Sequence, residues 1–184
     1  MRALRWLILV VSLAGCNPYV TAVSATYGVA TDVRSVSTQA SDTQIEASIK
    51  SALLASPVSG TGSLSVFCRQ GLVVLTGVVP RGSTAGTEAV HTARESQGVT
   101  RVETFFVQNQ PSQLTDIQIK EKIKAALVVD RRVVEGRVDV AVYGGHVVLV
   151  GVVASPQEAQ DFIEDARSVS GVLSVRSYIQ VNAP

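Results

Sequence analysis

The sequence predicts an α+β protein. It reads as two tandem units of order helix, strand, strand, helix, strand, each a mixed three-stranded sheet packed against two helices, after an N-terminal tether. Three observations carry that expectation. The stretch GLVVLTGVV from Gly71 to Val79 is nearly rewritten as GHVVLVGVV from Gly145 to Val153. Sliding the chain on itself until Asp42 meets Asp116 aligns both copies. After the loss of one loop residue, Gly98-Val99 meets Gly171-Val172, the signature of a duplicated unit. Each copy also switches from helical to alternating apolar periodicity in the same order.

The 184 residues suffice for two small domains, with 46% hydrophobic and 17% charged residues and a formal net charge of +1, a globular composition. The neutral balance gives no global attraction to nucleic acid, and with 5% aromatics there are few platforms on which bases stack. The first residues, MRALRWLILVVSLAGC, carry Arg2 and Arg5, an apolar run from Trp6 to Leu13, then small residues up to Cys16. That is the three-part pattern of a secretory signal, too short to span a bilayer. LAGC from Leu13 to Cys16 resembles the bacterial lipobox. The resemblance implies cleavage before Cys16, diacylation of its thiol and acylation of the new amino terminus, and several chains anchor where one does so only marginally. By the same resemblance Asn17, rather than Asp, addresses the protein to the outer membrane, facing the periplasm. The expected division is 1–15 signal peptide, 16–40 lipidated cysteine and tether, 41–110 first unit and 115–184 second unit. Residues 17–40, rich in Ser, Thr, Ala and Val, read as a largely extended tether. With Cys16 acylated, Cys68 has no disulfide partner, and its apolar strand position reads as a buried, inert thiol.

Each unit opens with a helix. Ser41 followed by Gln44, and Thr115 followed by Gln118, have the spacing of capping boxes. Ile45, Ile49, Ala52 and Leu53, matched by Ile119, Ile123, Ala126 and Leu127, form the core stripe. SLSVFC and RVDVAV alternate as strands and turn through RQG and YGG into the repeated stretch, a β-hairpin. The strand after the turn is apolar at nearly every residue, as in a central strand or one covered on both sides. Interior Gly77 and Gly151 suggest a bulge or a close helix approach. The second helix of the second copy has Ser155, Pro156 and Glu158 as its start. Its counterpart carries Gly82 and Gly86 and should begin later. RVETFFVQ and SVRSYIQV close the units as strands.

These ordered pieces, VVLxG strands with SQGV and SVSGV before the last strand, resemble the BON domain. With the lipobox and the segment ATDVRSVSTQ from Ala30 to Gln39, the chain resembles the DolP-type dual-BON lipoproteins of Gram-negative outer membranes. That resemblance implies a non-enzymatic protein without a cofactor, supporting envelope integrity. The residues agree in showing no site: His91 and His146 lack partners at metal-ligand spacing, and no serine sits in a nucleophile elbow. Glu158, Asp161, Glu164 and Asp165 recur at helical spacing and read as a solvated face.

The copies differ in charge. The first helix of the second unit and its following loop carry Lys120, Lys122, Lys124, Arg131, Arg132 and Arg137, against Lys50 alone in the first. Ile117, Lys120, Glu121, Lys124 and Val128 fall on one side of that helix, away from the core stripe. Basic heads beside apolar residues suit an anionic lipid interface, where each Lys or Arg contributes about 1 kcal/mol. The expected phospholipid-binding residues are therefore Ile117, Lys120, Lys124, Val128, Arg131 and Arg132, with Cys16 as lipidation site and anionic membrane phospholipids as partner. The resemblance places phospholipid binding on the same helix. The alternative is a periplasmic interaction module for outer-membrane assembly or division-site proteins. It would use a strand edge or Phe105 and Tyr178, which alternation sets opposite the Val102–Phe106 and Val175–Ile179 faces.

Overall fold

A computed structural model describes residues 32–109, 112–129 and 137–182, without the side chains of Val128 and Val129. The first unit comprises helix α1 (Val36–Ala55), a 3-10 turn (Thr61–Ser63), strands β1 (Ser65–Arg69) and β2 (Leu72–Val78), helix α2 (Ala85–Glu95) and strand β3 (Arg101–Val107). The second repeats it with α3 (Gln113–Val129), β4 (Val138–Tyr143), β5 (His146–Val153), α4 (Pro156–Ser168) and β6 (Ser174–Val181). In each sheet the middle strand pairs antiparallel with its hairpin partner and parallel with the last strand. This is the expected mixed three-stranded sheet.

The largely apolar middle strands are covered on both faces. Val73 and Leu75 pack with Ile49 and Leu53 of α1 and Ala89 and Ala93 of α2. Val147 and Leu149 pack with Ile119, Ile123 and Phe162 in the same way. The alternate residues Leu72 and Val74 meet Val148 and Val150 of the other unit, with Phe67, Phe105, Tyr143 and Tyr178 around them. The layers therefore run helices, sheet, sheet, helices, and the two sheets share one core.

The polar contacts across this seam come in related pairs. Arg69 of the first unit bonds Asp139 of the second, while Tyr143, which occupies the place of Arg69 in the repeat, donates to Ser65, which occupies the place of Asp139. Residue i meets j, and the equivalent of j meets the equivalent of i. The duplicated units thus pack as a pseudo-two-fold pair, the arrangement of an isologous dimer joined in one chain.

Several local expectations are corrected. Helix α1 begins at Val36, not Ser41; Ser35 is the cap and accepts from the Thr38 N–H at 3.1 Å. Residues 36–40 are thus helical rather than extended tether. Ser41 bonds back to the Ser37 carbonyl in mid-helix. The cap of α3 is likewise earlier than Thr115, since the Thr115 N–H donates to Ser112 Oγ. An ion pair explains the longer α1: Arg34 reaches back to Asp42 at 2.5 Å and to Asp32 at 2.6 Å, all three side chains being buried. Asn182 of the second unit holds the Val33 carbonyl at 3.2 Å. The close approach at Gly77 and Gly151 comes from the lead into the neighbouring strand, not from a helix. A Cβ on Gly151 would lie 2.4 Å from the Arg137 carbonyl and 2.8 Å from Val138 Cα, and one on Gly77 would lie 2.7 Å from Leu64 Cδ2.

The acidic set on α4 is not simply a solvated face. Glu158 and Asp161 are buried. Glu158 accepts from Arg137 at 2.8 Å and from the Ala154 N–H at 2.9 Å. Glu158 also donates its N–H to the cap Ser155, so the Ser155–Pro156 start is realised. Helix α2 begins later than its counterpart and has no side-chain cap bond.

Candidate functional site

Helix α3 presents two sides of different character. Ile119, Ile123 and Leu127 are buried. Turned away from them, Ile117 is 57% and Leu114 68% exposed, beside exposed Glu121 and Lys124 and half-buried Lys120. Lys124 pairs with Glu121 at 3.4 Å, one turn away on the solvent side. The structure thus brings Ile117, Lys120 and Lys124 together along one side. Val128 belongs to the helix, but its side chain, like Arg131, Arg132 and Cys16, lies outside the described residues. Leu114 escaped the sequence reading. Its signal was present, since it stands one turn before Ile117 on the same side.

Ile117 and Lys120 also form one wall of a groove of about 270 Å³ where the units meet, opposite Ser65 and Phe67 of β1 and beside Val142 and Tyr143 of β4. Among the described residues Lys120 makes no ion pair or hydrogen bond. Because the groove depends on how one unit packs on the other, no local sequence pattern reports it.

Equivalent positions serve different ends in the two copies. Lys50, the counterpart of Lys124, donates to the Gly62 and Leu64 carbonyls at 2.8 and 2.7 Å, so the first unit uses its one helix lysine internally. By contrast, the counterparts Asp42 and Asp116 act alike. Asp116 accepts from the N–H groups of Gly144 and Gly145 at 2.7 and 2.9 Å, and Asp42 from Gln70 and Gly71 at 2.9 and 3.1 Å. Each buried carboxylate clamps a hairpin turn whose two central residues have positive φ, as a type I′ turn requires.

Cys68 is fully buried and its thiol donates to Asp42 at 3.4 Å. Burial, reinforced by the Asp42 charge, pushes its pKa up to about 12, which keeps it protonated and unreactive. Burial also raises the pKa of Glu46, against the opposing pull of the Cys68 N–H and Arg69. His91 pairs on the surface with Glu95, and His146 bonds Ser174 at 2.8 Å. No group of His, Cys, Asp and Glu among the described residues could hold a metal ion. Phe105 and Tyr178 stand opposite the Val102–Phe106 and Val175–Ile179 faces as alternation requires, and both join the inter-unit core. Tyr178 donates its hydroxyl to the Thr104 carbonyl.

The family model of the BON domain matches residues 41–110 and 115–183. The chain belongs to the BON family. BON domains bind phospholipids or serve membrane-associated roles, and they are generally non-catalytic. Among solved structures, the chain is similar to CdsD, a structural protein of the type III secretion system of Chlamydia trachomatis. Identity is 13%, the TM-score is 0.33, and coverage is 78% of this chain and 64% of that one. A structure of the CdsD C-terminal domain matches at 15% identity and a TM-score of 0.32, over 78% of this chain and 67% of that chain. Likeness of this degree carries no functional argument. No helix among the described residues is long and apolar enough to cross a membrane.

Proposed function

We propose that this BON protein is a DolP-type, non-enzymatic lipoprotein, anchored through Cys16 in the outer membrane and facing the periplasm. In this reading its second unit binds anionic phospholipid and supports envelope integrity. The observation that carries the reading is the exposed side of α3, where Ile117, 57% open to solvent, stands beside Lys120 and Lys124. An apolar side chain flanked by ammonium groups places carbon in the acyl boundary and charge among phosphates. The first unit has Thr43 and Glu46 where the second has Ile117 and Lys120, so the property belongs to one copy.

The test is co-sedimentation of the unlipidated mature chain (Cys16→Ser) with vesicles. Phosphatidylglycerol or cardiolipin vesicles should pellet it and phosphatidylcholine vesicles should not. Replacing Lys120, Lys124, Arg131 and Arg132 by Glu should abolish pelleting. Equal pelleting with neutral vesicles, or no loss in the Glu variant, contradicts the proposal. The alternative reading as a docking module for outer-membrane assembly or division-site proteins loses its aromatic arm, because Phe105 and Tyr178 are engaged between the units, and rests on the edge strands β3 and β6 alone.

A further inference from the structure

The pseudo-two-fold packing of the units sets two equivalent places along the seam, one beside α1 and one beside α3, and they are furnished differently. Beside α1 the place is closed by charge. Arg69 is bound by Glu46 at 2.8 Å and by Asp139 of the other unit. Glu46 also accepts from the Cys68 N–H at 2.6 Å. That N–H lies on the outer edge of β1, where a sheet leaves donors unpaired.

Beside α3 the same three positions carry Lys120 in place of Glu46, Ser65 in place of Asp139 and Tyr143 in place of Arg69. At these three positions two carboxylates and a guanidinium become one ammonium and two hydroxyls, a change from negative to positive, while the Asp116 carboxylate that also lines the groove is held by the Gly144 and Gly145 N–H groups. The backbone donor is retained. Val142 holds the ladder position of Cys68, pairing with Val147 as Cys68 pairs with Val73, so its N–H also points off the edge toward the helix. Among the described residues no side-chain acceptor meets it. Lys120 supplies none, and the groove stays open at about 270 Å³ with Ile117 and Phe67 as its apolar walls.

We infer that this inter-unit groove seats the acidic headgroup of a single phospholipid, whose phosphate takes the place that the Glu46 carboxylate fills in the first unit. The phosphate accepts from the Val142 N–H and pairs with Lys120, both charge-assisted contacts, while the adjoining acyl segment lies on Ile117 and Phe67. The inference rests on the phospholipid reading above and sharpens it: the first unit, through Ser65 and Phe67, becomes part of the binding site.

The test follows the amide resonances of the unlipidated mature chain during titration with dihexanoylphosphatidylglycerol. The Val142 amide should shift strongly, with Lys120→Glu or Ser65→Asp each weakening binding about tenfold. Lys120→Glu should still fold, because the Val142 N–H can meet its carboxylate as the Cys68 N–H meets Glu46, although Tyr143 replaces the Arg69 partner. Ser65→Asp, in the other unit, decides the matter if Lys120→Glu fails to fold. If Lys124→Glu abolishes binding to anionic vesicles while Val142 does not move and Ser65→Asp has no effect, the groove is overturned and the surface reading stands. Glycerol phosphate shifting Val142 at the same concentrations as the lipid overturns the choice of a lipid ligand. Absence of any binding to anionic vesicles overturns both.

Discussion

Replacing Asp116 by Ala removes the acceptor that holds the hairpin of the second unit. Its two oxygens take the N–H groups of Gly144 and Gly145 at 2.7 and 2.9 Å, and the residue is only 4% exposed. A hydrogen bond to a charged group contributes about 1.5–3 kcal/mol, and donors left without an acceptor in a buried place carry their full desolvation cost. The loss should therefore be about 3–5 kcal/mol. For a chain of this size each kcal/mol moves the melting temperature by about 2–4 °C, so the transition should fall by roughly 6–20 °C. Asp116→Asn, which keeps one carbonyl oxygen, should lose about half as much. Asp42→Ala should cost at least as much as Asp116→Ala, since it also takes away one of the two carboxylates that hold the buried Arg34, leaving only Asp32. The assay is thermal unfolding of the unlipidated mature chain followed by far-ultraviolet circular dichroism. A single transition is expected, because the shared sheet-to-sheet core couples the units. An Asp116→Ala melting temperature within about 2 °C of the parent would refute the clamp.

Three other outcomes follow from the same geometry. Gly151→Ala should destabilise by about 1–3 kcal/mol in urea unfolding, since its Cβ would fall 2.4 Å from the Arg137 carbonyl, a backbone atom with little room to yield. Lys50→Met should cost about 1.5–3 kcal/mol by losing its two carbonyl bonds. The matching Lys124→Met, with one long surface pair, should stay within about 0.5 kcal/mol. Burial opposes the charge of Asp32, but its hydrogen bonds from Arg34 prevail and hold its pKa below the ordinary value. A depressed carboxyl stabilises above its unfolded pKa and loses that contribution as pH falls through the lower folded value. Asp32→Asn should therefore flatten the acid limb of the stability profile below the ordinary aspartate pKa of about 4, and an unchanged acid limb would contradict this.

Much of the fold was legible because duplication states it twice. The run from Gly71 to Val79 repeats at Gly145 to Val153, and its nearly continuous apolar character announced a central strand or cover on both faces. Which cover was not legible. Leu72 and Val74 look the same in sequence whether they meet a helix, a sheet or a partner, and only the assembled chain sets them on Val148 and Val150. Capping residues misled at Ser41 and Thr115 because Ser35 and Ser112 are equally good caps, and Arg34 binding Asp42 favours the longer α1. The acidic spacing on α4 misled because Arg137, far along the chain, draws Glu158 inward. For the candidate site, periodicity separated Ile117, Lys120 and Lys124 from the core stripe correctly. The replacement of Glu46 by Lys120 was visible too. That Ser65 and Phe67 stand opposite Lys120 was not, since it depends on the pseudo-two-fold seam between units.

The central claim is that the copies share a scaffold and that only the second meets anionic lipid. Nitroxide labels at equivalent positions, Thr43→Cys in α1 and Ile117→Cys in α3, test it most directly, since both sites are exposed and the remaining thiol, Cys68, is buried. With phosphatidylglycerol vesicles, the label at position 117 should lose access to a water-soluble relaxant and gain access to oxygen, while the label at position 43 stays as in buffer. Equal burial of the two labels, or water access unchanged at both, would contradict the account.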